Sequence, residues 1–345
     1  MSGEINHDDV QKYYGKDLTC SDDLKTSACT TPAGAMSKAV KKALSKIHDE
    51  VVMKYYGCGI CIPPALEKTR VLDLGCGAGR DVYAIAQLVG EEGHVIGVDM
   101  TPEQLETARK YEDFHKNAFG FANSNVTFKN GLIEKLGDVG IEDNSIDVIV
   151  SNCVINLVPD KESVIREVAR VLKEGGELYF SDVYSDKEIS EAARKDYVLW
   201  GECISGALLW TDLYDLCEEF GLSAPLLVDC HPFVVEKELA AKLGSTRFVS
   251  ATYRIFKPSS KPSKEKVKVT YNGEIPEVDT FQLAQNYQLK KNEPRALPVE
   301  MSADLKGSRY AKFFTFEKSG CVPFQGQPLN PFNKNIQNEN SGSCC

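Results

Sequence analysis

At 345 residues and 42% hydrophobic content, the chain is long enough for one large buried core and a smaller second unit. A net charge of −10 argues against a nucleic-acid binder, which needs a basic face to neutralise phosphates. The first residues are polar, so no secretory signal is expected, and no window reaches the roughly 20 apolar residues of a membrane span. A cytoplasmic protein that keeps its 12 cysteines reduced is the expectation.

Residues 1–67 read as a mixed N-terminal segment, in which Ser37–Tyr56 has helical spacing with Val40, Ala43, Leu44, Ile47, Val51 and Val52 on one stripe. From Thr69 strand and helix patterns alternate. Val71–Leu74 is predicted as a strand, Asp81–Val89 as a helix and His94–Asp99 as a second strand. Thr101, Pro102 and Gln104 supply a cap, a first helical residue and a capping partner, so a helix is predicted from there to about Asn117. Val126–Lys129 and Ile146–Ser151 are further strands, Ser163–Leu172 a helix stopped by Gly175-Gly176, and Glu177–Asp182 a fifth strand. The alternation over 68–210 implies a doubly wound, parallel α/β sheet of Rossmann-like type. In 211–258 an amphipathic helix, Thr211–Phe220, ends at Gly221, and period-two alternation predicts a strand over Val249–Ile255. The Lys/Pro/Ser run after Lys257 reads as a linker. Residues 259–325 form a small C-terminal domain with strands at Lys266–Tyr271 and Tyr310–Phe316, and 326–345 a disordered tail ending in Cys344-Cys345.

Gly75-Cys76-Gly77-Ala78-Gly79 follows a strand and opens a helix, but its third glycine is one place early for a dinucleotide fingerprint. A dinucleotide brings a pyrophosphate, whereas S-adenosylmethionine brings an ammonium, a carboxylate and a sulfonium. Asp73 suits the ammonium, directly or through water, with the loop amides approaching the ligand carboxylate. Asp99, at the end of the next strand, suits the ribose hydroxyls. An acidic protein also suits a cationic ligand. The site assigned to S-adenosylmethionine therefore comprises Asp73, Gly75, Cys76, Gly77, Asp99, Met100, Ile133, Glu134 and Asn152. Gly131–Glu134 borders the adenine or, through Ile133, packs the core; both readings stay open. Cys76 itself reads as a packing residue rather than a metalloid ligand.

The acceptor is narrowed by two absences. The fourth strand ends Ser151-Asn152-Cys153-Val154, without the Asn-Pro-Pro-Tyr type of sequence used for amino-nitrogen methylation. Among the five histidines only His48 sits in a plausible functional setting, so no general base is evident for a hydroxyl or amide acceptor. Cysteines offer an alternative. Cys29, Cys58, Cys153 and Cys203 are far apart in sequence, so any cluster is tertiary, and each alone reads as a small buried hydrophobe. Cys58-Gly-Ile-Cys61 spells a C-x-x-C, a zinc or redox hint without a partner pair. Cys217 and Cys230 read as core, and Cys344-Cys345 as a metalloid or redox contact.

The words Tyr-Tyr-Gly-Cys-Gly at 55–59, Ser-Asn-Cys-Val-Ile-Asn-Leu at 151–157, Gly-Gly-Glu-Leu-Tyr-Phe-Ser-Asp-Val-Tyr at 175–184 and Trp-Gly-Glu-Cys at 200–203 resemble arsenite methyltransferase. The likeness runs from about Asp9 to Lys257 and is weaker beyond the linker. It implies a class I methyltransferase sheet carrying an arsenic-binding unit in 211–258. It implies trivalent arsenic held by Cys58, Cys153 and Cys203, with Cys29 in disulfide exchange for the early steps and Tyr56 near the donor methyl. It further implies mono- and dimethylated products, trivalent arsenicals or their glutathione conjugates as substrates, glutathione or thioredoxin as thiol reductant, and a monomer. Soft thiolates suit a thiophilic ion, and its lone pair needs no proton transfer to attack. Two other readings remain: a carbon methylator of quinones or sterols on the same fold, and a metalloid-sequestering protein without catalysis. Cys20 and Cys61 are unassigned.

Overall fold

The N-terminal helix α1 (His7–Lys12) starts with a reciprocal cap, Asn6 accepting from the backbone of Asp8 and Asp9 while Asp9 accepts from Asn6, and continues into a π-helical turn over 13–17. The structure, a computed structural model, describes residues 5–18, 23, 36–57, 59–259, 267–319 and 328–333. Cys20, Cys29, Cys58, Cys321, Cys344 and Cys345 lie outside the described residues.

The single helix expected over Ser37–Tyr56 is two, α2 (Lys38–Leu44) and α3 (Asp49–Met53). His48 breaks the run because its ring nitrogen accepts the Glu50 N–H at 3.2 Å, which makes it the cap of α3.

The repeating units follow as β1 (Arg70–Leu74), α4 (Arg80–Val89), β2 (His94–Asp99), α5 (Pro102–Lys110), α6 (Glu112–Phe119), β3 (Val126–Asn130), β4 (Ile146–Asn152), α7 (Lys161–Val171) and β5 (Leu172–Ser185). Beyond them lie α8 (Glu191–Arg194), α9 (Tyr197–Gly201), β6 (Leu208–Leu209), α10 (Asp212–Glu219), β7 (Leu226–Phe233), α11 (Lys237–Ala240) and β8 (Phe248–Phe256). The sheet order is β3-β2-β1-β4-β5-β8-β7, with β6 beside β5. The first five strands in that order are parallel, as expected of βα units, but β8 and β7 add antiparallel strands, so the sheet is mixed. Apolar side chains from both faces fill two layers, one around Val71, Val82, Ile85 and Val148 and one around Leu72, Ile149, Ile165 and Leu178.

Three local expectations are amended. The helix from Thr101 splits at Tyr111 (φ −105°, ψ 12°), whose ring stacks on His48 at 3.7 Å, and Thr101 makes no side-chain cap. β8 is buried at every position except Thr252, so it lacks the half-exposed alternation read from the sequence. Residues 211–258 do not stand apart as a unit: β7 and β8 complete the central sheet, and Cys217 is buried within its core.

The C-terminal unit contains β9 (Val267–Tyr271), β10 (Thr280–Ala284), β11 (Tyr287–Lys290), β12 (Arg295–Leu297), α12 (Val299–Gly307) and β13 (Phe314–Lys318). The last strand starts later than expected because a 3-10 turn occupies Ala311–Phe313. β12-β9-β13 form one antiparallel sheet and β10-β11 a hairpin, and their core includes Leu226 and Phe256 from the main sheet. A buried charge cluster reinforces the join. Glu177 of β5 is fully buried and pairs with Arg254 of β8 and with Arg309, which also donates to the carbonyls of Pro64 and Ala65, each at 3.1 Å. The tail is not wholly unstructured, since Leu329 and Phe332 pack on the main core.

Candidate active site

The carboxyl ends of β1, β2 and β4 open into one cavity, as an open α/β sheet dictates. Its wall brings together every residue assigned to the donor: Tyr56, Asp73, Gly75, Cys76, Gly77, Asp99, Met100, Ile133, Glu134 and Asn152, with Cys153 adjoining. Gly75 (φ +72°) turns the chain out of β1, and a Cβ there would lie 2.4 Å from Val154 Cγ1. Ile133 is buried in the core layer and is also part of the cavity wall.

The first three loop amides are spent within the protein rather than left for a ligand carboxylate. The N–H groups of Gly75 and Cys76 donate to the Val98 carbonyl at 2.8 and 3.1 Å, and that of Gly77 donates to Asp99 Oδ2 at 2.8 Å. These bonds pin the loop to β2 and orient Asp99, whose Oδ1 accepts from Thr101 N–H at 2.8 Å. Each carboxylate oxygen retains acceptor capacity for a hydroxyl. Burial, with Asp81 and Asp99 nearby, pushes the Asp73 carboxyl well above its ordinary 3.8, and burial raises Asp99 as well. A bound cation would favour the ionised form of both acids. Gln104 Oε1 and Glu134 Oε2 are buried acceptors in the same wall without a hydrogen-bond partner among the described residues. This donor-hungry set fits S-adenosylmethionine, which offers an amine, two hydroxyls and an ammonium.

Asn152 lines the cavity, but its amide is engaged: Nδ2 donates to Tyr55 Oη at 2.6 Å and to the Gly59 carbonyl at 3.1 Å. The next residue, Cys153, and the distant Cys203 both hold left-handed backbone, at φ +58° and +60°. Cys203 Sγ donates to the Cys153 carbonyl at 3.0 Å, so the two cysteines meet, with Cys203 buried just behind the cavity wall. Trp200 holds this turn, its indole N–H donating to the Leu157 carbonyl at 3.1 Å. Cys153 is disulfide-bonded, so the expectation of uniformly reduced cysteines does not hold. The assignments to Cys29 and Cys58 lie outside the described residues.

The remaining thiols have ordinary roles. Cys61 is buried and donates to the Tyr179 carbonyl at 3.3 Å, and burial with Asp81 and Asp73 nearby pushes its thiol well up, so it is an inert half of the C-x-x-C. Cys76 is buried among the apolar side chains of one core layer. Cys230 is half-buried against the core. Among the described residues no group of side chains is arranged to hold a metal ion.

Several wall residues were not read from the sequence. The segment 5–18 crosses the cavity as a strap: His7 Nε2 lies 2.6 Å from Glu134 Oε1, Gln11 donates to the Met100 carbonyl at 2.7 Å, and Tyr14 donates to the Gly201 carbonyl at 2.6 Å. Tyr14 Oη is also 4.0 Å from Cys203 Sγ and its ring meets Tyr56 edge-on, so one residue touches both halves of the site. Of the histidines, His7 is the one in the cavity wall. His48, the one singled out from the sequence, is stacked on Tyr111 and is not part of the wall. Polar character hid the strap, since nothing in it signals a buried partner.

Comparisons with known proteins bear on this geometry. A family model described as a methyltransferase domain matches residues 66–221, and one described as the arsenite methyltransferase C-terminal domain matches 264–345. The likeness therefore continues past the linker, further than the sequence words suggested. The arsenite methyltransferase of Rattus norvegicus is 46% identical over 333 residues, covering 96% of this chain and 89% of the relative. That of Aquipseudomonas alcaligenes is 48% identical over 317 residues, covering 90% of each. The X-ray structure of an arsenic(III) S-adenosylmethionine methyltransferase from Chlamydomonas reinhardtii matches with a TM-score of 0.78 and 40% identity, over 84% of this chain and 98% of that one. Among the described residues no helix is long and apolar enough to cross a membrane. With a donor cavity at the sheet's carboxyl edge and two cysteines meeting beside it, the chain belongs to the arsenite methyltransferase family and is an S-adenosylmethionine-dependent enzyme.

Proposed function

We propose that Cys153 and Cys203, joined by Cys58 from the adjoining loop, hold trivalent arsenic as substrate beside the donor cavity. The observation that carries this is the 3.0 Å approach of Cys203 Sγ to the Cys153 carbonyl at the edge of a wall built from donor-site residues. Asp73 serves the donor's ammonium and Asp99 its ribose, Glu134 with Gln104 takes its remaining hydrogen-bond donors, and Tyr56 lies near the methyl. S-adenosylmethionine supplies a methyl carbon on a sulfonium.

The chain's own work is to bind, orient and keep water out. Each thiol loses its proton as a sulfur–arsenic bond replaces a hydroxide or glutathione on the incoming arsenical. Held by sulfur, the arsenic keeps a lone pair that attacks the methyl carbon, forming the arsenic–carbon bond while the carbon–sulfur electron pair stays with the departing thioether. No base is required. Alignment of this kind is worth roughly 7–11 kcal/mol in favourable cases. Arsenic is formally oxidised from trivalent to pentavalent, and two thiolates, Cys29 among them, return two electrons as they close a disulfide. Glutathione or thioredoxin reopens it. The enzyme works as a cytoplasmic monomer and yields mono- and then dimethylated arsenicals. The disulfide at Cys153 fits a resting state that must be reduced before substrate enters.

The test is to incubate the enzyme with arsenite, methyl-labelled donor and reductant. Methylated arsenic that disappears in Cys153→Ser and Cys203→Ser, and without reductant, supports the reading; full turnover in either variant defeats it. Cys29→Ser should still methylate a monomethylated substrate.

A further inference from the structure

We infer that Arg80 is a positioning residue for the acceptor side of the reaction, tying the loop around position 58 to the donor loop and to the end of β4. The inference rests on the reading that this loop helps to hold the arsenical.

Arg80 is the first residue of α4, directly after the glycine loop, and its side chain is only 12% exposed. Its guanidinium centre sits 3.1 Å from the centroid of the Tyr55 ring. Nη2 donates to the Gly59 carbonyl at 3.0 Å and Nε donates to Asp81 Oδ1 at 2.8 Å. Tyr55 Oη also donates to the Gly59 carbonyl, and Asn152 Nδ2 reaches Tyr55 Oη, the Gly59 carbonyl and, at 3.4 Å, Asp81. One carbonyl thus collects three donors, from the donor-loop helix, from the residue before Cys153 and from the loop itself. Gly57 completes the fit, because a Cβ there would lie 2.1 Å from Tyr55 Oη and 2.9 Å from Asn152 Cγ. The residues flanking position 58 on both sides are therefore held by groups belonging to the two halves of the site. Burial works against the guanidinium charge, but Asp81 and Tyr55 keep it charged.

The chemistry needs arginine rather than any cation. A planar fork stacks on a ring and donates in two directions at once, whereas an ammonium does one or the other. Arg80→Lys keeps the charge beside Asp73 and Asp81 and removes only the fork and the stacking.

The experiment compares wild type, Arg80→Lys, Tyr55→Leu and Tyr55→Phe by steady-state kinetics in arsenite and in donor, with calorimetric binding of S-adenosylhomocysteine. Arg80→Lys and Tyr55→Leu should raise KM for arsenite roughly 10- to 100-fold while leaving KM for donor and the affinity for S-adenosylhomocysteine within about threefold. Tyr55→Phe, which keeps the ring, should recover most of the loss. Equal loss on donor and acceptor sides, or no change on either, overturns the proposal. Should Arg80→Lys prove unfolded by thermal melting, the two tyrosine variants decide the matter. Retained arsenite binding in Cys153→Ser and Cys203→Ser would instead defeat the thiol reading, whatever the arginine does.

Discussion

Cys203 donates its thiol to the main-chain oxygen of Cys153 at 3.0 Å, and both residues occupy left-handed backbone that side chains other than glycine's seldom adopt. The chain thus accepts strain at both of these cysteines, one at the end of β4 and one just past α9.

Serine and alanine at position 203 should separate structure from chemistry. Cys203→Ser keeps a donor for the Cys153 carbonyl but offers a hard oxygen, so stability should change little while methylation falls more than about 100-fold. Cys203→Ala should lose the activity and also about 1 kcal/mol of stability. Radiolabel transfer and urea unfolding read the two effects.

Donor binding should release protons. Asp73 and Asp99 have pKa values raised by burial above their ordinary 3.8. Their contribution to the free protein's stability is therefore fully present below that value and is lost as pH rises through the raised values. A bound cation favours the ionised acids, so donor affinity should increase with pH across that window. Calorimetry in two buffers of different ionisation enthalpy measures the release. Asp99→Asn turns one acceptor toward Gly77 or Thr101 into a donor, and KM for S-adenosylmethionine should rise roughly 10- to 100-fold.

Gly57→Ala should act on the acceptor side. Its new methyl would overlap Tyr55 Oη at 2.1 Å, so the loop must shift. We expect KM for arsenite to rise at least about tenfold with little change in donor binding, read by steady-state kinetics.

The charge cluster under the C-terminal unit should be costly to break and cheap to replace. Glu177→Leu leaves Arg254 buried without its carboxylate and should cost about 3–5 kcal/mol in denaturant unfolding. Adding Arg254→Met should recover much of that loss, since the surrounding side chains include Phe281 and Tyr310.

Alternation of strand and helix made the parallel half of the sheet legible, because each βα unit carries its own turn glycine and apolar run. The place of Asp73 and Asp99 in the cavity wall was legible for a related reason: strand ends at the carboxyl edge of such a sheet open into its crevice. β7 escaped notice because its stretch carries Asp229, Cys230, His231 and Pro232, which read as loop. In β8 the alternation marked a strand but not its burial on both faces, where the C-terminal unit covers residues such as Arg254. The meeting of Cys153 with Cys203, and of Arg80 with Tyr55, has no local signature, since it depends on loops folding across the sheet edge. His48 misled because a histidine in an amphipathic stretch looks reactive until its ring is found stacked and spent as a cap.

The strap over the cavity has a consequence for the rhythm of turnover. His7, Gln11 and Tyr14 fasten it both to the donor wall and to the turn before Cys203. Any donor enters and leaves a cavity that this segment borders through His7 and Tyr14. Variants that weaken these fastenings should therefore change how fast donor exchanges between rounds.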